Sequence, residues 1–396
     1  MKAKSPVVVY GASGYTGKLI IERLADAGIP FIAAGREKKR LEEALSGLPN
    51  AKKAQASVAA VEHDARALTN LFEGAHVVAN VVGPFGQLGR PVADAALAAR
   101  CHYVDTTGET DWIKLLRDEY GAKFAAQNLT LCPALAYMWT AGQLAAEIAL
   151  EQKGIDSLDI VYAPGSAPTI ASTLSFMRMV TRTQYRLANR ALEPWPAGAS
   201  VLNSLPHTHE VLRSLPWGGG AEPIWYERDQ RVRNCRVTVA LQNPQMVDWL
   251  LNCAAEFNKV AGTKSEAELE ALTNSWGQAM ASTPPRENLD ANRSVISCRA
   301  RGPEAGREIV LYGAAPYEQT GVLIAEGARR LLAKSAKCVG FASPAEAFGH
   351  RDLIAALARV GLHEPAPAIV EPTKQAAAKA QAAPRRAGRA ELHTGH

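Results

Sequence analysis

The chain has 396 residues, 47% of them hydrophobic and 21% charged, enough for two or three domains with sizeable cores. Its formal charge of +5 is uneven: residues 371–396 carry a net +3, which leaves the body at only +2. A body so near neutrality excludes a protein that tracks nucleic-acid phosphates, and six cysteines without a CxxC pair or a secretory signal read as reduced thiols of a cytoplasmic enzyme.

In chain order, strand and helix alternate over the first 135 residues. Val7–Tyr10 is a short buried strand, too short for a signal-peptide core. Lys18–Ala27 has helical apolar spacing and is capped by Gly28. Strands follow at Phe31–Ala34, Ala56–Val61, His76–Val82, Tyr103–Thr106 and Leu129–Cys132. Helices fall at Lys38–Leu45, Pro91–Arg100 and Trp112–Ala126, with Pro91 expected in the first turn, where its missing N–H is harmless. Such alternation gives a parallel sheet covered by helices. Asn128 to Ala146 lacks charge, but Pro133 and Gly142 divide it into strand, break and helix, so no integral membrane span is expected.

Beyond about residue 140, Gly, Pro and Trp become frequent. Asn292–Arg301 and Arg307–Tyr312 read as strands joined at "GPEAG", and Glu318–Leu332 and Pro344–Leu362 as helical. The expected class is therefore α/β: a Rossmann-type parallel sheet domain plus an α+β second domain with a partly antiparallel sheet. The divisions are 1–138 for the nucleotide domain, 139–316 for the second domain, 317–365 for a C-terminal helical segment and 366–396 for a basic tail too poor in bulky apolar residues to order.

"VVVYGASGYTGKLI" at 7–20 sets Gly11, Gly14 and Gly17 between a strand and a helix, with Ser13, Tyr15 and Thr16 on the same turn. A pyrophosphate can approach backbone N–H groups there, at the positive end of the helix. Where an acidic residue would bond the ribose of NAD, the second strand ends "AAGR", and Arg36 suits a 2′-phosphate, so NADP(H) is preferred over NAD(H). Among enzymes with this opening, short-chain dehydrogenases need a Tyr four residues before a Lys, and no Tyr here has one. N-acetylglutamyl-phosphate reductases need a nucleophilic Cys, and neither Cys132 nor Cys101 lies in their motif.

The segment "NVVGPFGQLGRPVADAALAARCHYVDTTGE", residues 80–109, points to a better owner, together with "YEQTGVLIAEGARRLL" and "GFASPAEAFG" further on. With "GASGYTG" and "AGR" these resemble the saccharopine dehydrogenase-like oxidoreductase superfamily, in particular its trans-acting enoyl reductase branch. The likeness is good over 5–135, fair over 312–350 and vague over 150–300. It implies a Rossmann domain, an inserted second domain, a C-terminal segment packing back on the first, and nicotinamide-dependent redox chemistry.

Gly83, Pro84 and Phe85 leave the fourth strand at the edge where ligands of open α/β sheets bind, and the strand order favours a place beside the cofactor over a structural turn with Phe85 in the core. Asp105, at the end of the fifth strand, could act as a catalytic acid or cap the next helix, and Glu109 reads as a loop or helix-start residue. Tyr317 is the other catalytic candidate, as proton donor; Tyr137, Trp139, Ser166 and Thr320 lie in segments that could close over a cleft. His207 and His209 lack a third partner and read as surface residues, with no metal expected. "WGGGAEPIW" could form a mobile wall over a hydrophobic substrate or the surface of a homodimer. The expected activity is hydride transfer to or from a C=C, C=N or C=O group of a small or lipid-like substrate, possession of NADP without turnover (a sensor or scaffold) being the alternative.

Overall fold

The computed structural model describes residues 6–206, 210–280 and 282–367. His207, His209 and the basic tail lie outside the described residues. The described residues up to Ala366 make one compact unit.

Its first layer is a seven-stranded sheet. The strands are β1 (Val7–Tyr10), β2 (Phe31–Gly35), β3 (Ser57–Ala60), β4 (Val77–Asn80), β5 (His102–Asp105) and β6 (Thr130–Cys132). A last short strand, Gly340–Phe341, joins beside β6, and the order from that end is 340–341, β6, β5, β4, β1, β2, β3. All the pairings are parallel. Val7 lies opposite Phe31 on one side and Val77 on the other. β1 and β4 are buried throughout, as their unbroken apolar runs require of strands covered on both faces. The strand order reverses direction at β1, so a crevice opens at the carboxyl ends of β1 and β4.

The helices begin earlier than their apolar periodicity suggests. The first spans Tyr15–Asp26, opening directly from the glycine turn. Another spans Phe85–Ala98, which places Pro91 inside it and not in its first turn. Pro91 removes one rung of that ladder. The helix nevertheless starts at Phe85 because a carboxylate 24 residues away caps it, as described below.

The second sheet has eight strands: β7 (Ser157–Pro164), β8 (Tyr185–Ala188), β9 (Ala191–Pro194), β10 (Val201–Ser204), β11 (Val211–Leu215), β12 (Asn234–Ala240), β13 (Arg293–Arg301) and β14 (Gly306–Ala314). The strand 340–341 of the first sheet is thus β15. The main path runs β10, β11, β12, β7, β13, β14, with the β8–β9 hairpin joined to β12. β7 lies parallel to β12 and antiparallel to β13, so the sheet is mixed. The two sheets share one apolar core, which includes Val9 and Ile20 as well as Tyr162 and Ile296. The helix Pro316–Leu332 lies against Tyr15–Asp26 so closely that a Cβ on Gly321 would stand 3.2 Å from the Leu19 backbone.

Candidate functional site

The glycine turn is built for close approach. Gly11 has φ +97°, and a Cβ there would meet Val82 Cγ2 at 2.9 Å. A Cβ on Gly17 would fall 2.2 Å from the Gly11 carbonyl oxygen. Gly14 occupies the N-cap of helix Tyr15–Asp26 without any side-chain cap, and no acid stands in the first turn. Lys18 N–H donates to Gly14 O at 2.9 Å, so the donors at Tyr15, Thr16 and Gly17 are those a helix leaves free at its start. Uncapped donors at the positive end of a helix, beneath a turn with no obstructing Cβ, fit a dinucleotide pyrophosphate.

Arg36 follows β2 directly and is exposed. Beside it lies a residue that no motif singles out. His63, after β3, stacks on Tyr10 with ring centroids 6.0 Å apart and an interplanar angle of 7°. Its Nδ1 is 2.9 Å from the Tyr10 hydroxyl. Burial, reinforced by the charge of Arg36, holds the His63 imidazole below its ordinary range and so neutral at pH 7. Arg36 is thus a cation at the strand end with a neutral imidazole for a neighbour, an arrangement open to an anionic 2′-phosphate.

At the β4 edge, Gly83 and Pro84 are joined by a cis peptide bond. Pro84 is the N-cap of helix Phe85–Ala98, and the Phe85 ring is buried in the core. The N–H groups of Phe85 and Gly86 donate to the two oxygens of Glu109 at 2.7 and 2.9 Å. Glu109 is fully buried and also accepts from Ser175 Oγ and Arg178 Nη1, both at 2.7 Å. Arg178 reaches Asp111 at 2.6 Å as well. Burial raises the Glu109 carboxyl, and the Arg178 charge opposes that rise. Glu109 heads the helix Thr110–Leu115 in the chain, yet its side chain caps a different helix and ties it to Ile170–Val180 of the second sheet's half.

Asp105 is enclosed. Oδ1 accepts from Thr107 N–H at 3.1 Å and Ala134 N–H at 2.8 Å, while Oδ2 accepts from the Tyr103 hydroxyl at 3.0 Å and Trp112 Nε1 at 3.1 Å. Asn80 extends this network, donating from Nδ2 to the Tyr103 hydroxyl. Burial pushes the Asp105 carboxyl up to about 6. With both oxygens engaged by protein donors and no exposed surface, Asp105 organises the loop after β5.

Tyr317 is half-buried at the start of helix Pro316–Leu332. Its ring meets that of Tyr15, on the glycine turn, edge-on at 5.1 Å. Its hydroxyl donates to Ser172 Oγ at 2.8 Å and accepts from Thr169 N–H at 3.0 Å. Ser166 instead bonds Glu287, which caps the same helix through the N–H groups of Tyr317 and Glu318. Thr320 Oγ1 accepts from Tyr137 N–H at 3.1 Å.

Trp139 is fully buried at φ +48°, rare for a bulky residue, with its indole N–H on Gly108 O at 3.1 Å. Its carbonyl is 2.7 Å from the Tyr162 hydroxyl, which also lies 2.7 Å from Glu222 Oε1 and accepts from Gly142 N–H. Tyr162 has one proton, and the Trp139 carbonyl can only accept. Both contacts are hydrogen bonds only if Glu222 carries its own proton and donates it to Tyr162. Burial pushes the Glu222 carboxyl up to about 8, in agreement.

A family model described as saccharopine dehydrogenase NADP binding domain matches residues 7–130, and one described as a family of unknown function (DUF5938) matches residues 140–371, more than half of the chain. The chain belongs to the DUF5938 family. At its front it carries a saccharopine dehydrogenase-type NADP-binding domain, and its cofactor preference is NADP. It is 34% identical over 139 residues to a lipid droplet localized protein of Caenorhabditis elegans, covering 33% of each chain. It is 28% identical over 137 residues to the human saccharopine dehydrogenase-like oxidoreductase, covering 31% of this chain and 32% of that one. The match thus spans about a third of either relative. The apo structure of saccharopine dehydrogenase (L-Glu forming) from Saccharomyces cerevisiae superposes with a TM-score of 0.58 at 12% identity, covering 92% of this chain and all of that one, a likeness of fold.

Proposed function

We propose that the protein is an NADP(H)-dependent oxidoreductase that moves hydride to or from a C=C, C=N or C=O group of a small or lipid-like substrate, with enoyl reduction among the candidate reactions. The observation that carries this reading is the uncapped helix start at Gly14 with Arg36 on the neighbouring strand end. Bound cofactor would supply the hydride chemistry. Gly11 to Gly17 would hold the pyrophosphate, Arg36 the 2′-phosphate, and the backbone at Gly83–Phe85 the nicotinamide side. Glu109 and Asp105 would keep that edge rigid. Tyr317 is the proton donor in this proposal, because its hydroxyl lies on the half-buried ring that touches Tyr15 of the glycine turn.

Titration of NADPH fluorescence, followed by a panel of unsaturated acyl, imine and carbonyl compounds, tests the reading. Micromolar NADPH binding and turnover of one class are expected. Tyr317→Phe should then lower kcat about 100-fold, the lower end for loss of a general acid, and leave NADPH affinity unchanged. One observation favours a second reading, an NADP-binding sensor without turnover: the buried Asp105 has no oxygen free for substrate. NADPH binding with an inert panel would support that reading, and absence of NADPH binding would defeat both.

A further inference from the structure

Beneath helix Ile170–Val180 and the β8–β9 hairpin lies a cavity of about 310 Å³. Phe176, Leu215, Trp217, Val239 and Leu250 give it an apolar floor. That volume lies at the small end of ligand pockets.

Thr181, Arg182, Thr183, Gln184 and Asn258 supply its polar lining. The charge of Arg182 is weakly compensated: its Nη2 stands 3.9 Å from the highly exposed Glu266, and its Nε is buried without a partner. Arg182 thus leaves a cation for an anionic group beside the apolar floor.

Its position relates it to the cofactor edge. Trp217 packs edge-on between Phe176, 4.2 Å away, and Trp139, 6.0 Å away. Trp139 in turn holds Gly108 of the loop after β5. Gly218, next to Trp217, has φ +65°, and a Cβ on it would lie 3.5 Å from the Trp139 ring and 3.7 Å from Gly108 O. One aromatic layer therefore separates the cavity from the loop at the carboxyl edge of the parallel sheet.

We infer that this cavity binds a linear medium-length fatty acid as a ligand beside the cofactor edge, its chain on the apolar floor and its carboxylate paired with Arg182. The inference is independent of the oxidoreductase reading, and the binding can be measured without turnover. Calorimetric titration of the full chain with hexanoate, octanoate and decanoate is the test, with NADPH titrated separately. Affinity should climb about fourfold with each added methylene, the equivalent of about 0.8 kcal/mol. Ala254→Trp, which fills the cavity from helix Pro244–Val260, should weaken decanoate at least tenfold and leave NADPH affinity within twofold. Arg182→Gln should weaken decanoate tenfold and decanol hardly at all. Absence of saturable decanoate binding, a series flat in chain length, or an Arg182→Gln variant that weakens acid and alcohol equally would each overturn the inference. Loss of NADPH binding with decanoate binding intact would instead defeat the oxidoreductase reading and leave the cavity standing.

Discussion

Arg36 stands exposed at the end of β2, where its charge reaches Tyr10 and His63. Hydrogen bonds to charged groups contribute about 1.5–3 kcal/mol, and reversing the sign adds repulsion. Arg36→Asp should therefore weaken NADPH about 100-fold and NADH less than fivefold, measured by titrating both coenzymes; equal losses would mean that Arg36 does not face the 2′-phosphate. Glu222 offers a test by pH. The folded protein keeps its proton up to about 8, whereas an unconstrained Glu releases it near 4.5, so the folded state binds more protons between those values. Stability from this residue is complete below about 4.5, falls as pH rises towards about 8 and is flat above, with a slope of at most about 1.4 kcal/mol per pH unit. Glu222→Gln, which can donate to Tyr162 as the neutral acid does, should flatten the decline between pH 6 and 8 in urea unfolding; an unchanged slope would place the proton elsewhere. Arg36 was legible because a single position after a strand carries its meaning. Glu222 was not, since its role depends on Tyr162, 60 residues earlier, and on a proton count that no motif records.

The helix Phe85–Ala98 shows how an element can depend on a distant residue. Its first five residues include Gly86 and Gly89, neither a good helix former, and Pro91 follows soon after. From the sequence the helix would begin at Pro91, and it begins six residues earlier because Glu109 takes the first two N–H groups. A Cβ on Gly86 would lie 2.2 Å from Arg178 Nη2, so that glycine makes room for the guanidinium. Removing one partner from a buried ion pair costs about 3–5 kcal/mol. Glu109→Ala should cost that much in urea unfolding. Arg178→Met combined with Glu109→Ala should cost less than the two single changes together, because the pair is then removed from both sides. Additive losses would show that the two residues act independently. The glycine turn needed no such partner: its strand, turn and helix are contiguous, and the requirement for glycine at 11 and 17 is local.

The two halves of the molecule differ in how far their sequences betray them. The parallel sheet is written in short runs such as "VVVY" and "VVAN", each buried on both faces, and their order follows from alternation with helices. In the second sheet only β13 and β14 were visible, as neighbours joined by a turn. Its central strand, β7, pairs with β12 and β13, which lie more than 70 residues away in the chain, and nothing local announces that. The same long-range pairing joins the halves: β15 extends the first sheet, Glu109 is held by Arg178, and Arg286 links Glu22 and Glu318. With a common core, residues 6–366 should unfold as one body, so a ligand on the first sheet stabilises the second as well. NADPH at 100 times its Kd contributes about 2.7 kcal/mol. Spread over an unfolding entropy of about 2.1 cal/mol/K per residue, that moves Tm by about 3–4 °C. Calorimetry should show one transition displaced intact by NADPH, and Arg36→Asp should cut the displacement to about 0.5 °C at the same coenzyme concentration. Two transitions, of which NADPH moves only one, would mean that the ties across the Glu109–Arg178 pair and the shared core do not couple the halves.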